Sequence, residues 1–424
     1  VCSSDLLIAL CIIALLPLVS AYNNGVARLP VMGWNTWCTD DICGAIDICE
    51  ESLILSIAEA MVSSGMHSLG YQYILMDDCW SAQERDPTTG AITWNVDQFP
   101  SGLPAIAEKI HNLGLKFGLY TCVGTYTCKE GRPGSYGHFE EDAKAIASWG
   151  MDFVKADFCS APSGIPPEEL YHNFSAALNA TGRPIVFSLC EWGVGDVLSW
   201  GHTVGNEFRV QMDHLPVWKF PPKAAGEGFG QGTGDIIEYM GYIDPVKWSQ
   251  PWGILDPDFL MTLFPYTMSF TDSRTEYTFW SLWSAPLVVA TDIRGMSPEK
   301  KYILMNPEVI AINQDPGVKA GYRVMNESSG AQVWIKELEE SSSSSSTSSK
   351  KAMVLYNAND ISTTVVHATW AQAGWPNATA VHVRNLWERQ DMGVYGEEGI
   401  TATLVAHDVL YILLTRQDEA ERGK

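Results

Sequence analysis

The chain has 424 residues and carries 50 acidic side chains against 27 basic ones, which gives a formal charge of −23 and a sequence pI near 4.7. This acidic balance argues against a nucleic-acid partner, because phosphate binding needs a basic face. With 46% hydrophobic and 18% charged residues and a mean hydropathy of −0.03, the composition is that of a folded protein and not of a disordered one. The length suits a barrel of roughly 250 residues with a smaller second unit.

The chain opens with an apolar run, residues 6–19, that is too short to span a bilayer. The run ends in Val19-Ser20-Ala21, a small-residue pattern suited to signal peptidase. We therefore predict a signal peptide over residues 1–21 and a secreted or lysosomal/vacuolar protein. Later stretches fall short of about 18 consecutive apolar residues, so a membrane span is not expected.

Residues 31–293 alternate short β-rich runs with amphipathic helical runs, a pattern typical of parallel βα units. Seven strands are predicted, and an eighth is placed somewhere in residues 253–255. This count predicts an α/β fold with a (β/α)8 TIM barrel, assigned to residues 22–318. Residues 216–251, rich in Gly, Pro and Trp, are interpreted as a long excursion over the barrel mouth, with a plain surface loop as the alternative. The predicted strands are residues 31–34, 73–76, 116–120, 153–156, 184–189, 208–212 and 287–290, and the clearest helices are residues 51–64, 103–113, 139–149, 168–180 and 275–284.

The periodicity changes to alternation after residue 318, and the sequence predicts a C-terminal antiparallel β-sandwich domain over residues 319–416. A run of eight Ser and one Thr, residues 341–349, is predicted to be an insertion between two strands. A polar tail follows over residues 417–424. The strands are predicted at residues 331–336, 352–356, 363–369, 380–385 and 409–415.

Acidic residues cluster where the barrel strands end, which is where barrel enzymes hold their reactive side chains. Carboxylates on one rim repel each other unless a metal ion, a cationic substrate or sugar hydroxyls face them. Nearby Trp residues, and the absence of clustered His or a phosphate loop from the sequence, favour a sugar. Glycoside cleavage then needs two carboxyl groups, and spacing alone does not choose the pair. The residues in question are Asp77, Asp78, Asp157, Glu191, Asp213, Asp256 and Asp258, with Trp34 and Trp37.

Short motifs follow these strands in a fixed order. They include Met32-Gly33-Trp34-Asn35-Thr36-Trp37, Asp77-Asp78-Cys79-Trp80, Val154-Lys155-Ala156-Asp157-Phe158-Cys159, Cys190-Glu191-Trp192, Asp256-Pro257-Asp258 and Ile312-Asn313-Gln314-Asp315-Pro316. Together with three further matches, their order over about residues 28–325 resembles that of the family 27 glycoside hydrolases, the α-galactosidases or melibiases. The resemblance implies a barrel followed by an antiparallel domain, an α-galactoside substrate, and neither a metal nor an organic cofactor.

The resemblance also implies a retaining mechanism with Asp157 as nucleophile and Asp213 as acid/base. Asp213 stands four residues after Arg209, as in the family, although Phe208 replaces the usual Trp. A retaining pair should lie ~5–5.5 Å apart. Lys155, two residues before Asp157, should project to the same side of the strand and keep that carboxylate ionised, with a purely internal salt bridge as the alternative.

Further residues match the family's sugar pocket. Glu191 stands where a bulky residue favours galactose over its N-acetyl derivative, whereas Gly195 replaces an aromatic residue of some relatives and predicts a wider pocket. The substrate-binding residues implied by the resemblance are Trp37, Asp77, Asp78, Tyr120, Lys155, Glu191, Arg209 and Asp258.

Eight cysteines lie outside the signal peptide, an even number in an oxidising compartment, which predicts disulfides ahead of a zinc site. The resemblance implies the pairs Cys38–Cys79, Cys43–Cys49 and Cys128–Cys159. Cys122 and Cys190 either pair with each other or remain buried thiols. Four acceptor triplets for N-glycosylation fit passage through the secretory pathway: Asn173, Asn179, Asn326 and Asn377.

Several alternatives remain open at this point. Within the same chemistry, the chain could be an α-N-acetylgalactosaminidase or a β-L-arabinopyranosidase. From other classes, it could be a non-catalytic galactose-binding protein or a metal-dependent hydrolase. The sequence leaves the oligomeric state open, with a homodimer among the options.

Overall fold

The structure is a computed structural model that describes residues 21–45, 48–129, 131–220, 230–339 and 349–417. The predicted signal peptide up to residue 20, the Ser-rich insertion up to residue 348 and the polar tail from residue 418 lie outside the described residues. Within the described ranges, no helix is both long and apolar enough to cross a bilayer.

Eight parallel strands form one sheet, and this confirms the α/β barrel predicted from the sequence. Strands β1 to β7 neighbour one another in chain order, and β8 lies beside β1. The ring closes through Leu260, just beyond β7, whose backbone pairs with Val288 and Ala290 of β8 at 2.8 and 3.0 Å. The strands are β1 (Met32–Cys38), β2 (Tyr73–Leu75), β3 (Lys116–Cys122), β4 (Phe153–Asp157), β5 (Val186–Cys190), β6 (Glu207–Arg209), β7 (Ile254–Asp256) and β8 (Leu287–Thr291).

Helices connect the strands and cover the outside of the barrel. Each buries an apolar face: α2, for example, buries Leu103, Ile106, Ala107 and Ile110, and Pro104 sits in its first turn where a missing N–H does little harm. The helices are α1 (Glu51–Ser63), α2 (Leu103–Asn112), α3 (Phe139–Ser148), α4 (Pro167–Ala180), α5 (Val197–Val204), α6 (Thr233–Ile243), α7 (Phe270–Leu282), α8 (Pro298–Leu304) and α9 (Pro307–Asn313).

Two sequence expectations for the barrel need correction. The helix predicted at residues 275–284 begins earlier, because Ser269 caps it by accepting a hydrogen bond from the Asp272 N–H. The region predicted as an excursion, residues 216–251, is partly helical, since it contains α6 and a 3-10 turn at Pro245–Lys247. Residues 221–229 of that region lie outside the described part of the chain.

The C-terminal part is antiparallel, as predicted, with a six-stranded sheet and a separate two-stranded sheet. Val333, Leu355, Val366, Ile400 and Ile412 are among the buried residues that join the two sheets. Alternation missed three strands. Two of these, β9 and β14, are the half-exposed or exposed edges of the larger sheet, where one face need not be apolar. The strands are β9 (Tyr322–Asn326), β10 (Ala331–Glu337), β11 (Lys350–Asn357), β12 (Thr364–Ala368), β13 (Val381–Asn385), β14 (Gln390–Tyr395), β15 (Ile400–Leu404) and β16 (Val409–Arg416).

The disulfides differ from two of the three expected pairs. Cys38 is bonded to Cys43 and Cys49 to Cys79, so the expected pairs Cys38–Cys79 and Cys43–Cys49 are wrong. The chain turns back after β1, where Gly44 N donates to the Trp37 carbonyl, and this turn brings Cys43 next to Cys38.

The third bridge, Cys128–Cys159, is the one expected. Of the cysteines that the structure describes, Cys122 and Cys190 are unpaired and buried, so the thiol alternative holds for them.

Candidate active site

A cavity opens at the C-terminal ends of the barrel strands, where the acidic residues were predicted to converge. It brings together eight of the ten predicted catalytic and substrate-binding residues. Because Asp157 ends β4 and Asp77 follows β2, the parallel strands deliver these carboxylates to the same end of the barrel. The lining residues are Trp37, Asp77, Asp78, Tyr120, Cys128, Lys129, Lys155, Asp157, Cys159, Trp192, Asp213, Asp258 and Phe259.

Asp157 lies deep in this cavity, with 7% of its surface exposed. Its Oδ1 accepts a hydrogen bond from Phe158 N at 2.8 Å. Burial raises the pKa of Asp157 to about 7; the Lys155 ammonium opposes this rise, and the charge of Asp213 adds to it. The two candidate catalytic carboxyls therefore face one cavity and are close enough for the charge of Asp213 to act on Asp157.

Asp213 follows β6 and is held by Arg209, the last residue of that strand. Arg209 Nη2 lies 3.2 Å from Asp213 Oδ1 and 3.0 Å from Asp258 Oδ2, so one guanidinium fixes two carboxylates of the rim. The Arg209 side chain is 1% exposed and does not line the cavity. The structure thus places Arg209 behind the wall, where it orients its neighbours, and not on the cavity surface.

Lys155, Asp77 and Asp78 form another part of the cavity wall. Lys155 Nζ donates to Asp77 Oδ2 at 2.9 Å and lies over the rings of Tyr120 and Phe259, at 5.3 and 4.7 Å from their centroids. Burial and the charge of Asp77 raise the pKa of Asp78 to about 6, although hydrogen bonds to Asp78 and the Arg132 charge partly oppose them. This wall presents one cation and several carboxylate oxygens, a mixture that suits sugar hydroxyls.

Glu191 is the other predicted residue that the structure does not bring to the cavity surface. Its side chain is fully buried; Oε1 accepts Gly193 N at 3.4 Å, and Oε2 has no hydrogen-bond partner among the described residues. Burial raises the pKa of Glu191 well above its ordinary value. The neighbouring Trp192 lines the cavity instead.

Three lining side chains were missed by sequence reasoning: Trp192, Lys129 and Phe259. Trp192 stands in the Cys-Glu-Trp motif, and the sequence offers a signal for it, an aromatic residue next to Glu191. Lys129 and Phe259 belong to loops, and the chain carries no local signal that directs them inward. Lys129 Nζ lies 5.9 Å from the Trp37 ring centroid, so these two lining side chains are neighbours.

The two free thiols flank Asp157 on the neighbouring strands. Register places Cys122 of β3 and Cys190 of β5 directly beside Asp157 of β4. Cys122 Sγ donates to the Asp157 carbonyl oxygen at 3.2 Å, and Cys190 Sγ accepts from Arg209 Nη1 at 3.4 Å. Burial raises the pKa of both thiols well above the ordinary value, which makes them packing groups and not nucleophiles.

The sulfur atoms of Cys128 and Cys159 lie near the Asp157 carboxylate, a grouping that could resemble a metal site. The two sulfurs are joined in a disulfide, so they are not thiolate ligands. The bridge instead forms part of the cavity wall, two residues beyond Asp157.

Comparison with known proteins assigns this arrangement to a family. A family model described as Alpha galactosidase A matches residues 29–315, and one described as Alpha galactosidase C-terminal beta sandwich domain matches residues 328–414. The chain belongs to the α-galactosidase family of glycoside hydrolases. Family membership makes it an enzyme of the glycosidase class, as the ordered motifs predicted.

Relatives of this family resemble the chain over nearly its whole length. The α-galactosidase of Oryza sativa subsp. japonica is 35% identical over 395 residues, which cover 93% of this chain and 87% of the relative. The α-galactosidase of Coffea arabica is 37% identical over 399 residues, covering 94% and 97%. The crystal structure of α-galactosidase I from Mortierella vinacea matches with a TM-score of 0.84 and 31% identity, covering 93% of this chain and 100% of that one.

Structures of other specificities share the fold. A family 27 β-L-arabinopyranosidase from Geobacillus stearothermophilus matches with a TM-score of 0.74 at 20% identity, covering 93% of this chain and 98% of that one. At this identity the likeness concerns the fold alone.

Proposed function

We propose that this chain removes terminal α-linked galactose from oligosaccharides or glycoconjugates with net retention, using Asp157 as nucleophile and Asp213 as acid/base. The observation that supports this proposal is that both carboxyl groups line one cavity and that the charge of Asp213 raises the pKa of Asp157. Double displacement requires two carboxyl groups that face the same site.

In the first step, a carboxylate oxygen of Asp157 attacks the anomeric carbon and the glycosidic C–O bond breaks. Asp213, in its protonated form, donates its proton to the departing oxygen. The attacking group must be ionised, and the Lys155 ammonium favours that state by opposing the rise in the pKa of Asp157. The product of this step is a galactosyl ester of Asp157 and a free alcohol.

In the second step, water enters from the side that the alcohol has left. Asp213, now a carboxylate, takes a proton from the water, and the water oxygen attacks the anomeric carbon. The ester bond to Asp157 breaks, and galactose leaves with its original anomeric configuration. Arg209, whose Nη2 donates to Asp213 Oδ1 at 3.2 Å, holds that side chain in place for this step.

The remaining lining residues supply the contacts that would hold the sugar. Asp77, Asp78 and Asp258 offer carboxylate oxygens to hydroxyl groups, and Lys155 offers an ammonium donor. Trp37 and Tyr120 offer ring faces for the apolar side of the hexose. A bound galactose should therefore contact both the charged and the aromatic residues that line the cavity.

The test is hydrolysis of an aryl α-galactoside by the purified protein and by its Asp157→Asn variant. We expect the variant to lose at least about 10³-fold in kcat with unchanged thermal stability, because the nucleophile is removed and the shape kept. NMR of the first product formed by the unaltered protein should show the α-anomer. Normal turnover by Asp157→Asn, or a β-anomer as first product, would contradict the proposal.

Other specificities are separated with matched aryl glycosides. Faster hydrolysis of the N-acetylgalactosaminide or of the β-L-arabinopyranoside would assign the chain to those activities. Galactose binding without turnover would indicate a non-catalytic binding protein. Loss of activity in a chelator, restored by a divalent metal, would support the metal-dependent alternative.

We further propose that the protein is exported, to the exterior or to a lysosome- or vacuole-type compartment. Three disulfides support an oxidising route, and the four predicted glycosylation residues are all exposed. A mass shift on treatment of the natural protein with an N-glycosidase would test this route. An unshifted mass for protein isolated from its own cells would count against it.

A further inference from the structure

We infer that His214 is a positioning residue for the acid/base carboxyl of Asp213, an inference that rests on the proposed function. His214 follows Asp213 directly and is completely buried, whereas 45% of the Asp213 side chain is exposed. Among the described residues, the Asp213 carboxylate accepts one hydrogen bond, from Arg209. A carboxyl held by so few contacts keeps one orientation only if its backbone is fixed, and His214 fixes it.

Both ring nitrogens of His214 are hydrogen-bonded. Nδ1 lies 2.8 Å from the carbonyl oxygen of Phe259, which can only accept, so Nδ1 carries the proton. Nε2 lies 3.0 Å from Thr233 Oγ1 and accepts the hydroxyl proton when the ring is neutral. Burial lowers the pKa of His214 to about 4, which keeps the ring in that neutral form. The ring thus has one defined tautomer and one defined orientation.

These two bonds join the segment after β6 to two other elements. Phe259 lies just beyond β7, and Thr233 is the first residue of α6. The ring also faces Trp280 of α7, with centroids 5.3 Å apart. A shift of residue 214 would therefore break contacts with three elements at once.

The main chain of His214 adds a link to the rim carboxylates. Its N–H donates to Asp258 Oδ2 at 2.8 Å, the same oxygen that lies 3.0 Å from Arg209 Nη2. Arg209 in turn donates to Asp213. A chain of hydrogen bonds and ion pairs thus runs from the His214 main chain through Asp258 and Arg209 to the carboxylate of Asp213.

Backbone pairing completes the anchor. Gln231 N donates to the Asp213 carbonyl at 2.8 Å, and Leu215 N donates to the Gln231 carbonyl at 2.8 Å. This parallel bridge lies next to the hydrogen bond between the His214 ring and Thr233. The His214 ring is therefore the side-chain part of a clamp that holds residue 213 at the cavity edge.

A misplaced acid/base has a kinetic signature that general destabilisation lacks. An alkoxide leaving group needs the proton from Asp213, whereas a nitrophenolate leaves readily without it. Weakening the clamp should therefore slow hydrolysis of an alkyl α-galactoside far more than that of a nitrophenyl α-galactoside. Azide, which attacks the glycosyl-enzyme without base assistance, should also partly restore turnover of the nitrophenyl substrate.

The test compares Thr233→Val, which removes only the hydroxyl donor, and His214→Asn with the reference variant Asp213→Asn. We expect kcat/KM for an alkyl α-galactoside to fall about 10–100-fold in the first two variants, against less than about 3-fold for the nitrophenyl substrate. The control is His111→Asn, because His111 pairs with Asp152 at 2.7 Å near the opposite end of the barrel. That control should lower Tm without changing the ratio of the two rates.

Equal losses on both substrates, or unchanged kinetics in Thr233→Val, would overturn the inference. If His214→Asn does not fold, Thr233→Val decides the question by itself, because it keeps the volume of the side chain. If Asp213→Asn loses kcat/KM equally on both substrates, the proposed acid/base role of Asp213 is wrong. If only the His214 and Thr233 variants do so, the role of Asp213 stands and the inference about His214 is wrong.

Discussion

Lys155 forms its ion pair with Asp77, at 2.9 Å, and not with Asp157, the proposed nucleophile, two residues along the same strand. Both partners are nearly buried, with 12% and 4% of their side chains exposed. The charge of Lys155 nevertheless acts on Asp157, and it is the largest of the contributions that lower the pKa of that carboxyl. One ammonium therefore acts on two carboxylates of the cavity, those of Asp77 and Asp157.

Replacing that ammonium should change the pH dependence of the enzyme. In Lys155→Met the pKa of Asp157 rises, so the ionised nucleophile appears only at higher pH. The acidic limb of kcat/KM should move upward by about one unit or more. Lys155→Arg keeps the charge and is the control. A limb that stays in place in Lys155→Met would show that Lys155 does not act on the nucleophile.

The buried Glu276 should make stability fall as pH rises. Its carboxyl accepts from Met261 N at 2.7 Å and Thr262 Oγ1 at 3.0 Å, and burial raises its pKa to about 8. Between the unfolded pKa and this value the folded state holds a proton that the unfolded state releases, so the free energy of unfolding decreases with pH. In Glu276→Gln, the decrease in the free energy of unfolding between pH 5 and 7 should be smaller by about 1 kcal/mol or more.

Urea midpoints at pH 5, 6 and 7 measure this effect. The exposed Glu84→Gln is the control, because its side chain is solvated in both states. The prediction fails if Glu276→Gln and the unaltered protein lose stability in parallel across this range.

Trp192 and Glu191 should differ sharply in their effect on substrate binding. Trp192 lines the cavity, whereas Glu191 is buried behind it. Trp192→Ala should raise KM about tenfold through loss of the aromatic wall. Glu191→Gln should leave kcat/KM within about threefold, since the isosteric amide keeps the acceptor for Gly193. Steady-state kinetics on one aryl α-galactoside measure both, and the reverse ranking would place Glu191 in contact with the sugar.

The Cys128–Cys159 bridge should stabilise the protein more than Cys38–Cys43. The two bridges join residues 31 and 5 positions apart, so the longer loop restricts the unfolded chain more. Loop-closure entropy predicts losses of about 4 and about 2 kcal/mol for the paired Cys→Ser variants. Only the Cys128/Cys159 variant should also lose activity, because its bridge lines the cavity. Peptide mapping without reduction checks the pairs, and equal losses of activity would contradict the argument.

The amino-acid sequence determined the barrel, the C-terminal antiparallel domain and the set of rim carboxylates. These features depend on local periodicity and on short motifs in a fixed order, which a linear chain displays directly. Parallel strands bring their C-terminal ends to one edge, so the sequence already predicts that Asp77, Asp157 and Asp213 lie at the same end of the barrel.

The tertiary structure alone decided which side chains touch. The choice of Cys43 and not Cys79 for Cys38 depends on a turn after β1, and the pairing of Lys155 with Asp77 joins two separate strands. Glu191 lies behind the wall because Trp192 occupies the cavity side. Such outcomes depend on side-chain packing between distant segments, where several side chains could occupy one position. Sequence spacing does not determine which of them does so.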